Sequence, residues 1–353
     1  MTGPGDGPLP LVTADLPGSG GNLKASPEDF RVEEIPAYLP AGAGPHLWLL
    51  VEKRGRTTRD VVREAARLLG VAERDAGAAG LKDRQAVTVQ WLSFPVARDP
   101  DPAAIAGEGW RVLQASRHGN KLRTGHSRGN RFSLVVRGGD VGRAGAVAAA
   151  LAARGLPNYF GSQRFGAAGR NAALGRAILK GGDDPEARRA ARDRFLRRLV
   201  LSAWQSELFN RWLAERLRDG LLARALRGDA MRKLDSGGIF TCEDPDADQP
   251  RVDRFEISPA GPMFGHALRP AGGEPGEREA RILLADGVTP ADLARGGGET
   301  EGTRRAARIP VAVALEGLEA GYRATFELPR GSYATVVMAE LMKADAALDE
   351  TGD

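Results

Sequence analysis

The residues best placed to do chemistry lie in Gly80-Leu81-Lys82-Asp83-Arg84-Gln85-Ala86-Val87-Thr88-Val89-Gln90-Trp91. A small-residue turn (Ala78, Ala79, Gly80) leads into a lone carboxylate between two cations, and the alternating run from Ala86 to Trp91 reads as a strand. Asp83 is therefore expected at a strand mouth, where a side chain is held more firmly than at a free loop tip. Lys82 and Arg84 would favour the ionised form of a group whose unperturbed pKa is about 3.9. An ionised carboxylate suits a nucleophile or a base better than a proton donor. A Lys-Asp-Arg triplet taken alone is more often an ordinary turn aspartate with solvated neighbours, so its context has to overturn that reading.

Two further stretches could handle a substrate. The window from Arg117 to Phe132 contains Arg117, Lys121, Arg123, Arg128 and Arg131 and no acid. It reads as a basic loop on a sheet rim, able to contact phosphates through charge, with Gly125 and Gly129 letting backbone amides approach closely. Pro157-Asn158-Tyr159-Phe160-Gly161-Ser162-Gln163-Arg164-Phe165-Gly166 mixes aromatic, amide and Arg groups between glycines. Such a segment stacks on unpaired bases or makes a packed corner between domains; the residues alone do not choose.

Composition removes several classes of function. With 353 residues the chain is long enough for two domains or one elaborated domain. A formal charge of +4 and a pI near 9.4, with clustered arginines, suit a polyanionic partner. The single Cys242 excludes an internal disulfide and a cysteine-built metal site. His46, His118, His126 and His266 lack metal-ligand spacing, so no metal is expected. Leu47-Trp48-Leu49-Leu50-Val51 is too short to span a bilayer, and the Gly- and Pro-rich Met1 to Gly21 has no basic-then-apolar leader pattern. The expectation is a cytoplasmic protein with no membrane association and a poorly ordered start.

The positioning elements follow from periodicity. Phe30 and Val32 alternate with charged neighbours as a half-buried strand does; Leu47 to Glu52 supplies a second strand that could pair with it. Thr57-x-x-Asp60 has capping-box form, ahead of helical spacing at Val61, Val62, Ala65, Leu68 and Leu69, with Gly70 as the stop. Strands are expected over Ala86 to Phe94, Trp110 to Ala115 and Phe132 to Val136, and an Ala-rich helix over Ala144 to Ala153. From Asp193 to Arg218 runs the longest helical pattern, with Phe195, Leu199, Trp204, Leu208, Phe209, Trp212, Leu213 and Leu217 on a broad apolar face. Short strands and loops follow. Ile309 to Leu315 and Tyr322 to Leu328 read as neighbouring strands, and Tyr333 to Leu348 as a helix with Ser332 as N-cap. Strands early and late around a helical middle suggest a discontinuous sheet domain carrying an insertion.

At this point the chain resembles the TruD class of tRNA pseudouridine synthases. The resemblance rests on Lys24-Ala25-x-Pro27-Glu28-Asp29-Phe30, Ala79-Gly80-x-Lys82-Asp83-x-x-Ala86-Val87-Thr88-x-Gln90-Trp91, Gly129-Asn130-x-Phe132, the Pro157 to Gly166 segment, and Leu328-Pro329-x-Gly331-Ser332-Tyr333-Ala334-Thr335. These motifs run in the family's order from about Leu23 to Met342. The resemblance implies an α+β fold: a pseudouridine-synthase catalytic domain with a central mixed, mainly antiparallel sheet, plus an inserted α+β domain. It places a flexible segment at 1–22, the catalytic domain at 23–154 and 308–353, and the insertion at 155–307. Asp83 matches the catalytic aspartate, and Lys24 a basic residue near it. Phe30, Asn130 and Tyr333 match positions that contact the target nucleotide, and Phe132 the aromatic that lies against the base. The Tyr333 position is often Phe in relatives, so its added hydroxyl needs a partner if buried.

The implied reaction is isomerisation of a tRNA uridine, with position 13 in the D arm as the expected target, by a monomer without cofactor or obligate protein partner. Breaking the glycosidic bond, turning the uracil and rejoining it through C5 transfers no electrons and loses no group. Asp83 would attack C1′ or take the C2′ proton; the sequence does not choose. Lys24 is the preferred cation to keep it ionised, with Lys82 and Arg84 as alternatives. Aromatic stacking worth about 1–3 kcal/mol per base would hold the detached uracil of a flipped nucleotide, and the Arg117 to Arg131 stretch and arginines of the insertion would hold phosphates. Two competing readings are an inert RNA-binding or RNA-folding protein on the same scaffold, which would not need Asp83, and a glycosidase, which would use two positioned acids where the motifs supply one.

Overall fold

Alternation of Phe30, Val32 and Glu34 with charged residues makes the first long strand, β1 (Phe30–Pro36). The computed structural model describes residues 8–23 and 26–343, and the chain divides into two units. Residues 19–148 and 312–332 form a sheet unit; residues 1–18, 149–311 and 333–353 form a mainly helical unit. This division assigns residue 333 onward to the helical unit, where the expected boundaries place 308–353 with the sheet.

In the sheet unit β1 is joined by β2 (His46–Lys53), β3 (Val87–Pro95), β4 (Trp110–His118), β5 (Ser127–Arg137), β6 (Val313–Leu318) and β7 (Gly321–Pro329). Their order is β6-β7-β5-β1-β3-β2-β4, with three two-residue strands added. β1 and β3 run parallel and every other neighbour antiparallel, the mixed sheet of an α+β fold. β1 and β2 do not pair, contrary to the sequence reading, because β3 lies between them. β3 is buried along nearly its whole length on both faces, and such a strand belongs in a sheet's interior. Helix α1 (Thr58–Leu68) opens with the expected Thr57/Asp60 capping box. It packs Val61, Ala65 and Ala66 on Leu47, Leu49, Val51, Leu92 and Phe94, each large apolar side chain contributing roughly 1.5–3 kcal/mol of burial. The opposite face is closed by Trp48, Trp91, Ala79 and Leu122.

The helical unit is built on α2 (Arg194–Arg218), which begins where expected because the Asp193 carboxylate accepts from the amides of Phe195 and Leu196. Trp204, Leu208, Phe209, Trp212 and Leu213 are buried. Phe195 instead is 63% exposed, since it sits in the first turn, ahead of the buried stretch that starts at Val200. A four-stranded antiparallel sheet, ordered Ile239–Thr241, Ala230–Lys233, Ile257–Met263, Thr303–Ala306, packs on this helix. A Cβ at Gly261 would lie 2.3 Å from Trp212 Cε3, so the residue type allows the strand to close on the indole. Helix α3 (Ala334–Met342) is capped at Tyr333 and not at Ser332; the expected continuation to Leu348 lies outside the described residues. No helix among the described residues is long and apolar enough to cross a membrane.

Of the Gly- and Pro-rich start, residues 8–21 depart from expectation, and residues 1–7 lie outside the described residues. Around residue 12 the chain is strapped to α3: the amides of Val12 and Thr13 donate to the buried Glu340 carboxylate at 2.8 and 3.1 Å, and the Thr13 hydroxyl at 2.5 Å. Arg154 adds bonds to the Val12 carbonyl (2.9 Å) and to Asp15. The stretch around residue 12 is ordered because a buried carboxylate recruits its backbone. Removing residues 1–18 should therefore lower unfolding stability by about 1–3 kcal/mol, the penalty of stripping a buried acceptor of its hydrogen-bond donors, while the Lys343 ammonium at 3.5 Å stays with the Glu340 carboxylate. Urea denaturation of the truncated and intact chains checks this; equal midpoints would show that the strap carries no stability.

Candidate active site

The loop before β3 has no regular structure, and side chains of the sheet unit satisfy its backbone. Gln90 Nε2 donates to the Gly80 carbonyl (3.1 Å). The Lys82 amide donates to Thr58 Oγ1 (2.9 Å), whose hydroxyl donates to Gln90 Oε1 (2.8 Å). Lys53 Nζ then donates to the carbonyls of Arg56 (2.8 Å), Lys82 (3.1 Å) and Asp83 (2.7 Å). Since Lys53 pairs with Thr88 across β2 and β3, these bonds lead the loop from above Gln90 to above the start of β3. Asp83 is exposed at the end of this path, its Oδ1 accepting from the Gln85 amide (3.0 Å) in an Asx turn.

The cations flanking Asp83 in sequence are directed elsewhere. Lys82 Nζ pairs with Glu34 Oε2 at 2.9 Å, side chains 9% and 1% exposed, and Arg84 Nε donates to the Gly55 carbonyl (3.1 Å). Both flanking cations thus spend these bonds on partners other than the Asp83 carboxylate. Lys24 lies outside the described residues. The cation found beneath the loop is Lys53, which the sequence reading missed. Its signal is a lysine that ends the apolar strand His46–Lys53 in phase with the inward Leu47, Leu49 and Val51. Burial, partly offset by the charges of Asp83 and Asp60, pushes its ammonium down to about 8.

Phe30, Asn130 and Phe132 share one sheet face, as the two-residue period requires. Phe30 faces Leu134, Val32 faces Phe132 and Glu34 faces Asn130 across β1 and β5. The same face holds Thr88, beside Val32 on β3, and Lys53. Phe132 is buried and stacks on Phe326 of β7 at 5.4 Å and 24°. Asn130 Oδ1, Glu34 Oε1 and Thr88 Oγ1 are buried without a hydrogen-bond partner among the described residues. Two unused acceptors and a hydroxyl thus lie on the face over which the Asp83 loop is anchored, an arrangement suited to a ligand with N–H and carbonyl groups.

The basic stretch divides. β4 extends to His118 and β5 begins at Ser127, so Arg117, Arg128 and Arg131 belong to strands and the loop is only 119–126. Arg117 is tied to Asp99 Oδ1 and the Val96 carbonyl, both at 2.6 Å, and Arg131 to Glu327 at 2.7 Å. Lys121 Nζ donates to the Arg74 carbonyl (2.8 Å). Arg123 and Arg128 are exposed, and their guanidinium groups make no ion pair or hydrogen bond among the described residues. The Gly125 amide donates to the Ala79 carbonyl (3.0 Å), joining this loop to the one that carries Asp83.

Tyr333 belongs to the helical unit, where its ring meets Phe160 edge-on at 5.8 Å, and burial raises its hydroxyl pKa. The Pro157 to Gly166 segment is a packed corner within that unit. Tyr159, Phe160 and Phe165 are buried, Phe160 exchanges two 2.9 Å bonds with the Asn210 amide, and the Arg305 guanidinium lies 4.0 Å over its ring. Burial holds Arg305 down to about 10.

A sequence model of the family described as tRNA pseudouridine synthase D (TruD) matches residues 9–189 and 182–341. A protein of Anaeromyxobacter dehalogenans strain 2CP-1 named tRNA pseudouridine synthase D is 75% identical over 345 residues, 98% of this chain and 99% of its own. One of the same name from Thermus thermophilus is 42% identical, over 96% of this chain and 93% of its own. A solved structure of a TruD-type protein from Methanosarcina mazei superposes with a TM-score of 0.75 at 25% identity, covering 95% of this chain and 96% of that one. The chain therefore belongs to the tRNA pseudouridine synthase D (TruD) family, a family of isomerising enzymes.

The buried Lys82–Glu34 pair yields a stability test. Lys82→Met leaves Glu34 buried without its counter-ion and should cost about 3–5 kcal/mol, whereas Lys82→Met combined with Glu34→Gln should recover most of that loss. Urea unfolding of the single and double variants reads the difference; equal losses would mean that the pair is not coupled.

Proposed function

We propose that this chain isomerises a uridine of tRNA to pseudouridine, with Asp83 as the reacting carboxylate. The observation that carries the reading is the fixation of the Asp83 loop by Gln90, Thr58 and Lys53, which presents an exposed carboxylate over the sheet face that also bears Asn130 and Phe132. Either route to bond cleavage, attack on C1′ or removal of the C2′ proton, uses Asp83 as an anion at a fixed place. The uracil stays bound, turns and rejoins through C5, so atoms and electrons balance within the substrate and no cofactor is called for. Phe30, Phe132 and Tyr333 are the aromatic groups assigned to the flipped base, Asn130 to a base edge or the ribose, and Lys24 to the surroundings of the carboxylate. Stacking on Phe132 requires the base to meet a ring already paired with Phe326. Position 13 is the expected target, a cytoplasmic monomer the expected form, and residues 155–307 the family's insertion.

Phosphate binding falls to the uncommitted arginines. Arg123 and Arg128 serve in the sheet unit, where Arg128 lies two residues before Asn130 on β5, at the irregularity where the register with β1 shifts. In the helical unit Arg189, Arg192, Arg194 and Arg198 are exposed with no ion pair among the described residues, and Arg189 and Arg192 line a shallow depression of about 510 Å³.

Unmodified total tRNA is incubated with wild type and with Asp83→Asn, and pseudouridine is located by chemical labelling and sequencing. Wild type is expected to mark a defined uridine, and Asp83→Asn to keep fold and tRNA affinity with no turnover. Substantial turnover by the variant sinks the assignment. Converting Arg123 and Arg128 to Gln should lower the slope of log affinity against log salt by about 1 to 2, measured by filter binding. An unchanged slope would move the phosphate contacts to another surface.

A further inference from the structure

Lys53 closes β2 with its side chain 2% exposed as a residue. Taking an ammonium out of water costs several kcal/mol unless its protons are used well. Among the described residues no carboxylate hydrogen-bonds it; its three N–H groups go to three carbonyls, those of Arg56, Lys82 and Asp83. Two of the three are consecutive residues of the Asp83 loop, so the cation fixes the peptide units on either side of the Asp83 Cα. A lysine retained only for strand packing would carry its charge out to solvent along an apolar stem. A residue that only filled the space would need no charge.

We propose that Lys53 is a positioning residue for the reaction, setting through the Lys82 and Asp83 carbonyls the direction in which the Asp83 carboxylate is presented. The proposal rests on the reading of Asp83 as the reacting group and adds a residue that the motifs around Asp83 do not contain. With the ammonium in place, the Asp83 carbonyl is held from below and its Oδ1 is held by the Gln85 amide. Backbone and carboxylate are thus fixed at two points, which sets the direction of Oδ2. The geometry is coupled to charge as well as to shape. The ionised groups acting on Lys53 are Asp83 and Asp60, which favour its protonated form, and Lys82, which opposes it. Burial outweighs them and leaves the ammonium titrating near 8.

The pH consequence has a sign that separates positioning from general stability. An unfolded lysine titrates at about 10.4. Between the folded and the unfolded value the unfolded chain binds more protons, so Lys53 makes the fold more stable as pH rises through that window. Turnover should move the opposite way, falling as the ammonium loses its proton and releases a loop carbonyl.

The test uses the full chain and unmodified tRNA, with turnover, tRNA affinity and thermal stability measured together across about pH 6.5 to about 9.5, a range chosen to bracket the Lys53 titration. Lys53→Met is expected to reduce turnover about 100-fold, as misplacement of a reacting group by an ångström does, with tRNA affinity unchanged. Wild-type turnover is expected to fall above about pH 8 with no parallel fall in stability, and Lys53→Arg, which stays charged over the whole range, to shift that fall upward. Turnover of Lys53→Met within about twofold of wild type, far short of the positioning effect, overturns the proposal. So does a wild-type profile that stays flat to the top of the range, an outcome that decides even if Lys53→Met does not fold. Asp83→Asn measured alongside keeps the two ideas apart: turnover by that variant removes the Asp83 reading itself, whereas an inactive Asp83→Asn with an active Lys53→Met removes only the role of Lys53.

Discussion

A loop without regular structure has backbone amides and carbonyls that neither helix nor sheet can satisfy, and near a sheet end they need partners of fixed position. That requirement governs the region around Asp83. Gln90, Thr58 and Lys53 are drawn from β3, the start of α1 and the end of β2, and each spends a side-chain donor or acceptor on the loop. The three elements are themselves fixed by the core shared between α1 and the sheet. Apolar packing far from the Asp83 carboxylate is thereby converted into the placement of a few backbone atoms. The central location of β3 is what makes this work, because a strand with neighbours on both sides cannot shift its register without breaking two ladders.

Much of this is legible from residue types. The capping box at Thr57, the long helix after Asp193 and the strand after Asp83 are local signals, set by hydrogen bonds and periodicities within a few residues, and all appear where the sequence puts them. The family resemblance is legible through motifs whose spacing is itself local. Pairing choices are less so. β1 and β2 look like a hairpin until β3, buried on both faces, takes the place between them. The direction of a charged side chain is also hidden: Lys82 stands beside Asp83 in the chain but turns to Glu34, 48 residues away. The acid-free stretch from Arg117 to Arg131 looks uniformly available for phosphate, yet acids from distant segments, Asp99 and Glu327, claim two of its members.

The hydrogen-bond inventory on the β1 and β5 face has a similar character. Glu34 and Asn130 sit in strands whose other inward residues are apolar, and Thr88 is followed two residues on by Gln90, the second polar residue on that side of β3. A sequence pattern marks them only as interruptions of hydrophobic alternation, and such interruptions concentrate where a fold departs from its own packing rules for the sake of a site. Their leftover acceptors lie beside aromatic rings, a combination that matches the mixed faces and edges of a nucleobase.

The strap between Thr13 and Glu340 bears on how the chain is made. The two residues are 327 positions apart, and the helical unit draws on three separate stretches of chain. During synthesis the segment around Val12 emerges 327 residues before its carboxylate partner, so this contact closes only after all the intervening chain is available, and closure over so long a loop is entropically slow. The long middle segment can begin to order while the two ends of its unit wait. A premature stop shortly before α3 would thus yield a chain containing the Asp83 loop and most of both cores, but with the segment around Val12 unfastened and exposed to proteolysis.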